Sequence, residues 1–392
     1  MYHNLAVLAT FALLLSFFAG RLERGSVTSP MVYIGFGLVA GPVGLNVLHL
    51  DVDAIEMRVI ADVTLALVLF VDAANADLRV LKSYAGIPAR MLLIGLPLCI
   101  ALGGAVGAWI FPEISLWESF LLATMLAATD AALVKGVVSN TSVPEQVRQG
   151  LNAESGLNDG LAVPVLFVFL ALATGDASGG LGFKLLLEEL GIGVAVAVVV
   201  VTAAVHMIRF SSARGWVTDV WLRISVVPLA LACFALAQTL QGSGFIACFV
   251  GGLLFGYFGK ESTHKLVLAG EGIGELMAML TWVVFGAVFM WPFLGQVTWE
   301  IALYAILSLT LIRMLPMLIA LLRTGEPLEH RLFLAWFGPR GLASIVFLVI
   351  VGQAQLPANS VFIPTVVLTI TLCVLAHGIT AYPWANRLAR KQ

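Results

Sequence analysis

Charge is what this sequence has least of. Only 11% of its 392 residues are Asp, Glu, Lys or Arg, against roughly 25% in an ordinary soluble domain, while 60% are hydrophobic. With a mean hydropathy of +1.01, this composition excludes a water-soluble enzyme and reads as an all-α polytopic membrane protein. Cysteine is scarce as well. Cys99, Cys233, Cys248 and Cys373 all fall inside apolar runs with no paired spacing, so neither disulfides nor a metal cluster is expected. Long polar segments are also missing: no loop could hold a folded soluble domain. Residues 1–392 are therefore expected to form one transmembrane domain whose function lies in the membrane, with lipid as a partner and nucleic acid as none.

About 20 mainly apolar residues cross a bilayer core of ~30 Å. Such stretches fall near 4–20, 31–48, 59–78, 91–111, 116–138, 149–174, 186–208, 222–240, 242–258, 275–294, 299–322, 332–351 and 361–380, which predicts 13 spans. The first is read as a span rather than a signal peptide, because no basic region precedes it and Arg21 and Arg24 follow it without a small-residue cleavage site. Loop charge tests the count. With the N-terminus outside, 16 of the 21 basic residues lie in inside segments, only Arg58 and Lys184 lie outside, and Lys135, Arg313 and Arg340 lie within spans. An error of one span would scramble that alternation, so the charge pattern supports 13 spans with the C-terminus inside.

Charges at membrane depth are costly and usually functional. At 1.5 Å per residue, Asp159 lies roughly 15 Å from the inner start of the sixth span and Asp130 about 21 Å from the outer start of the fifth, so both sit near the midplane. Ser155 and Asp159 are four residues apart and share a helix face, as do Glu154 and Asn158 one step around. Ser155, Asp159 and Asp130, with Thr129 as a further candidate, can supply oxygen ligands to one hard cation. Gly338, Pro339 and Gly341 interrupt the twelfth span, and Thr129 and Asp130 end the regular apolar sequence of the fifth. Breaks at matching places in two halves point to an inverted-repeat transporter site, where half-helix ends face the cargo and Lys135 and Arg340 can offset their fields.

The stretches ATDAALV, VPEQVRQGLNAESGLNDGLAVPV and FGPRGLASIVF together resemble the NhaP-type sodium/proton antiporters of the monovalent cation:proton antiporter superfamily, over nearly the whole chain. The resemblance implies an inverted-repeat fold with crossing broken helices in spans 5 and 12, and a homodimer whose core moves against a dimerisation subdomain interleaved with it. It places Na+ at Asp130, Asp159, Ser155 and Thr129, with Asn158 in support and Glu154 paired to Arg340. Relatives often carry an acid on the third span; LFVDAANADL offers Asp72 or Asp77, of which Asp72 is the deeper. No cofactor is implied beyond the transported Na+ or Li+ and H+, and no enzymatic activity. The expected setting is a prokaryotic inner (cell) membrane, in pH homeostasis. Since Asn158 stands where electrogenic relatives carry a second aspartate, electroneutral exchange is expected.

Other readings were weighed beside these. A K+/H+ antiporter of the same fold fits the same ligands, since ligand identity does not set cavity size. An intramembrane aspartyl protease would also place aspartates on adjacent spans, but needs no Glu-Arg pair; a channel would favour rings of ligands from several subunits. Lys135, Arg313, His206 and His377 read as snorkelling residues near inner span ends. The glycines of GGAVGAW and GGLLFG read as helix-packing positions. The coupling follows from removing carboxylates from water, which disfavours their charged form: a proton or a cation neutralises the site, and the empty charged site crosses poorly.

Overall fold

A computed structural model describes residues 2–22, 27–49, 54–76, 86–130, 133, 143–175, 181–259, 263–354, 356 and 358–389. Among the described residues there is no strand. The helices are α1 (Tyr2–Leu22), α2 (Ser29–Ala40), α3 (Ala54–Asn75), α4 (Gly86–Ile110), α5 (Leu116–Met125), α6 (Glu145–Thr174), α7 (Leu181–Ala213), α8 (Asp219–Thr239), α9 (Gly244–Gly259), α10 (Leu266–Leu294), α11 (Trp299–Ala320), α12 (Leu328–Trp336), α13 (Leu342–Gln353) and α14 (Asn359–Ala389). Each predicted stretch meets helix. Among the described residues eight helices are individually long and apolar enough to cross a membrane, and α2, α5, α13 and most of α9 form shorter apolar helices, so eight of the 13 expected crossings have a helix of spanning length and composition.

Lipid rather than water is the solvent these surfaces suit. Helix α1 buries none of its residues and presents Leu5, Leu13, Leu14, Phe17 and Phe18 outward, a continuous apolar face that a soluble monomer would not expose. Helix α13, by contrast, is apolar all round and buries every residue from Leu342 to Val351, as a helix at the centre of a large assembly must.

The glycines meet the packing expectation. A Cβ on Gly252 would run into the Phe70 carbonyl, and one on Gly256 would sit 2.5 Å from that of Ala74, so α9 lies directly on the backbone of α3. Likewise a Cβ on Gly103 would lie 2.9 Å from Ala123 and one on Gly104 2.7 Å from the Phe120 ring, which lets α4 close on α5. Small residues set these approaches, because apolar burial supplies no drive between helices already in lipid.

The two predicted breaks are present and they touch. Helix α5 begins with a capping box, Ser115 Oγ accepting from Glu118 N at 3.2 Å and Ser115 N donating to the Glu118 carboxylate at 2.7 Å. It stops at Met125, and residues 126–130 leave the helix. Residues 337–341 separate α12 from α13. Asp130 N donates to Pro339 O at 2.8 Å, and Ser344 Oγ donates to Met125 O at 2.8 Å. Lys135 and the rest of the fifth predicted span, Leu133 apart, lie outside the described residues, as does Asp77. A third interruption was not foreseen: α11 bends at Thr310, where φ is −106° and ψ −91°.

Candidate functional site

A cavity of about 410 Å³ lies between α3, α6, α10 and the crossing breaks. Asp72, Thr129, Asp130, Ser155 and Asp159, all five residues that the sequence nominated as ion ligands, line it. It runs from the exposed Asn152 and Glu275 down to Asp159, which is 7% exposed. Each wall has its own cause. Helix α6 carries Ser155 and Asp159 one turn apart, and the break after α5 turns Thr129 and Asp130 into the same space. Helix α3 brings Asp72 to the cavity, its carbonyl packed beside Gly156 of α6.

Hydrogen bonds commit several of these side chains to the scaffold. Ser155 Oγ donates to Thr129 O at 2.9 Å, and Asp130 Oδ2 accepts Leu342 N at 3.0 Å. Asn158 Nδ2 donates to Ala127 O, Thr129 Oγ1 and Glu154 Oε1 at 3.0 to 3.1 Å, which ties α6 to the unwound end of α5. Asp159 Oδ1 is buried and has no hydrogen-bond partner. A buried carboxylate oxygen left bare is expensive, and here it faces a cavity walled by other oxygens. That arrangement invites a cation or a proton.

A family model described as sodium/hydrogen exchanger, transmembrane, matches residues 6–387. The chain belongs to that family. Among related exchangers, Na(+)/H(+) antiporter 2 of Zygosaccharomyces rouxii is 26% identical over 86% of this chain, and the K(+)/H(+) antiporter NhaP2 of Shewanella sp. (strain ANA-3) is 22% identical over 98% of it. The chain spans only 44% of the first relative's length and 66% of the second's. The fold is that of a solved structure, the sodium proton antiporter MjNhaP1 from Methanocaldococcus jannaschii, with a TM-score of 0.78 at 19% identity over 99% of this chain and 97% of that one.

Within this exchanger the expected Glu154–Arg340 pair is replaced by another. Glu154 Oε1 accepts Arg313 Nη1 at 2.9 Å, with both side chains at most 2% exposed. Arg340 instead donates to the Ala127 and Ser308 carbonyls, at 3.2 and 3.4 Å. The reason lies in the breaks: unwinding after Met125 and at Thr310 frees backbone carbonyls that serve an arginine as uncharged acceptors. Arg313 has no such supply and takes the carboxylate. Glu154 also accepts Thr129 Oγ1 at 3.3 Å, and it does not line the cavity.

The snorkelling assignments divide. His206 is exposed, but Arg313 and His377 are buried at 2% and 1% exposure. Depth was the overlooked signal for Arg313, which stands nine residues, or about 14 Å, inside the predicted span end. His377 was misplaced because α14 continues to Ala389, well beyond the predicted end at residue 380. Sequence reading also passed over Glu271 and Glu275, one turn apart on α10, which line the cavity opposite Asp130; Glu271 accepts Asn75 Nδ2 at 2.5 Å.

Proposed function

We propose that this chain is a secondary antiporter exchanging Na+, and Li+ as another small hard ion, for H+ by alternating access. The observation that carries the reading is the bare Asp159 Oδ1 at the buried end of a cavity whose other polar walls are Asp130, Ser155, Thr129 and Asp72. Oxygen donors of this kind suit a hard cation. Asp159, Asp130, Ser155 and Thr129 are the ligands in this reading, Asp72 a further wall of the site, and Asn158, Glu154 and Arg340 its supports. Neutralisation by either a proton or a cation makes the loaded site cheaper to move than the empty one, and that difference couples the two fluxes.

The two faces of the site are unequal in a way that supports alternating access. The cavity opens at the ends of α3 and α10 that the charge pattern assigns to the cytoplasm. Toward the other side Met57, Ile60, Thr281, Val284, Phe289, Ile345 and Val349 enclose only about 20 Å³. In this reading the cavity is the inward-facing half of the cycle. The rest of the reading is a homodimer in a prokaryotic cell membrane, N-terminus outside and C-terminus inside, with a core subdomain moving against a dimerisation subdomain and serving pH homeostasis.

The protease and channel readings have no support in the family match. A K+/H+ antiporter stays as a second reading, because the related NhaP2 of Shewanella carries that name. Transport by purified protein in liposomes, with Na+, Li+ and K+ given separately, decides between them. Na+ and Li+ gradients are expected to move protons and K+ to do so weakly; strong K+ response without Na+ response would favour the second reading. Because Asn158 adds no titratable charge beside Asp159, the initial rate in the same vesicles is expected not to change with an imposed membrane potential. A rate that follows the potential would show unequal charge exchange.

A further inference from the structure

The break between α12 and α13 frees backbone groups that, at membrane depth, must find partners inside the protein. On one side they meet the ion site: Pro339 O accepts Asp130 N and Leu342 N donates to Asp130 Oδ2. Gly341 lies so close that a Cβ there would overlap the Asp130 carboxyl. On the other side they meet two residues of α14 that have no part in the ligand set. Arg340 N lies 2.9 Å from Cys373 Sγ, Cys373 Sγ lies 3.3 Å from His377 Nδ1, and His377 Nε2 lies 2.9 Å from Trp336 O. All three contacts are buried or nearly so, and the His377 ring stacks on Trp336 with centroids 4.8 Å apart.

We infer that Cys373 and His377 form a hydrogen-bonded clasp across the break and are positioning residues for Asp130. The inference rests on the reading of Asp130 as an ion ligand. Directionality follows from the donors available. Trp336 O and Cys373 O can both only accept, so the single proton of a neutral His377 serves one of them; in the clasp it sits on Nε2, which leaves Nδ1 as an acceptor. Cys373 O, 2.9 Å from Nδ1, offers it no proton. The Cys373 thiol does: S–H donates to Nδ1 while Sγ accepts Arg340 N–H. A continuous path of three hydrogen bonds thus leads from Arg340 N back to Trp336 O, standing in for the helical bonds the break removes.

The consequence reaches the cation through two residues of backbone. Arg340 N is held by α14, and Leu342 N, two residues on, holds Asp130 Oδ2. With the clasp cut, the segment keeps the Arg340 side-chain bonds to the Ala127 and Ser308 carbonyls but loses its backbone tie to α14, and the Leu342 donor to Asp130 is held less firmly in direction. A hydrocarbon at 373 would occupy similar space without making either bond, which lets substitution separate hydrogen bonding from volume.

The test compares Cys373→Val, which keeps the bulk and loses both bonds, with Cys373→Ser, which keeps a donor and an acceptor. In liposomes Cys373→Val is expected to raise the KM for Na+ roughly tenfold, the affinity equivalent of about 1.4 kcal/mol, with Vmax within about twofold of wild type. Cys373→Ser is expected to retain the wild-type KM, and Cys233→Val, at a buried thiol remote from the break, to leave it unchanged. Equal KM values for Cys373→Val and wild type, or equal losses in Val and Ser, would overturn the clasp. The infrared S–H stretching band reads the same bonds without transport. The component lost in Cys373→Ser should lie at hydrogen-bonded frequency and move to the free-thiol position in His377→Leu; a component already at the free-thiol position would overturn the clasp whether or not Cys373→Val folds. Wild-type protein that moves no protons in response to any cation would count against the antiporter reading instead.

Discussion

Asp159→Asn is expected to reduce cation-coupled proton movement to the level of protein-free liposomes while leaving the protein folded. The substitution preserves side-chain volume and removes, among the described residues that line the cavity, a carboxylate with a buried oxygen that no hydrogen bond satisfies. An amide neither takes up a proton in the working range nor balances a cation, so both halves of the exchange lose their carrier. Folding should survive, because a buried charge without a hydrogen-bond partner on that oxygen costs stability rather than supplying it. Asp130→Asn is expected to abolish exchange too, though its amide oxygen can still accept Leu342 N. The check is dequenching of a pH-sensitive dye after Na+ addition, with size-exclusion elution recording the fold. Wild-type dequenching in Asp159→Asn would remove that carboxylate from the mechanism.

Glu154→Ala and Arg313→Ala are each expected to lower stability by about 3 to 5 kcal/mol, because removing one member of a buried pair strands the other charge away from water. The double substitution should lose clearly less than the sum, since two uncharged side chains leave nothing stranded. Arg313 sharpens the expectation: its Nε and Nη2 have no other hydrogen-bond partner, and a Cβ on Gly338 would overlap its guanidinium, so the group sits in a fitted slot. Glu154→Ala combined with Arg340→Ala is the control and should be nearly additive, because Arg340 binds carbonyls instead. Thermal unfolding of the three single variants and the two doubles gives the answer. Additivity for Glu154 with Arg313, and a shortfall for Glu154 with Arg340, would restore the pairing that the sequence suggested.

That reversal shows where sequence reading works on such a chain. Helix positions were legible because lipid forces long apolar runs, and the residues that line the cavity because Asp130 and Asp159 stand at a depth where charge is rare. Gly338, Pro339 and Gly341 announced a break, and the meeting of Asp130 with Pro339 follows from two breaks at one depth. Which arginine serves Glu154 was not legible. It depends on the Thr310 bend in α11, where no glycine or proline marks the position, and on carbonyls that become available only once the chain has unwound. Cys373 and His377 escaped for a similar reason: spaced four apart in an apolar helix, they read as packing until the break is placed beside them. The acidic α10 wall was missed because Glu271 fell before the predicted start of its span and Glu275 on its first residue, where an acid reads as a span end.

The central claim is that proton and cation compete for one set of buried carboxylates. The direct measurement is the apparent KM for Na+ as pH is lowered, in liposomes at fixed potential. The account predicts that KM rises with falling pH while saturating Na+ restores most of the rate. A loss of rate at low pH that no Na+ concentration relieves would contradict it and require a separate proton-sensing group.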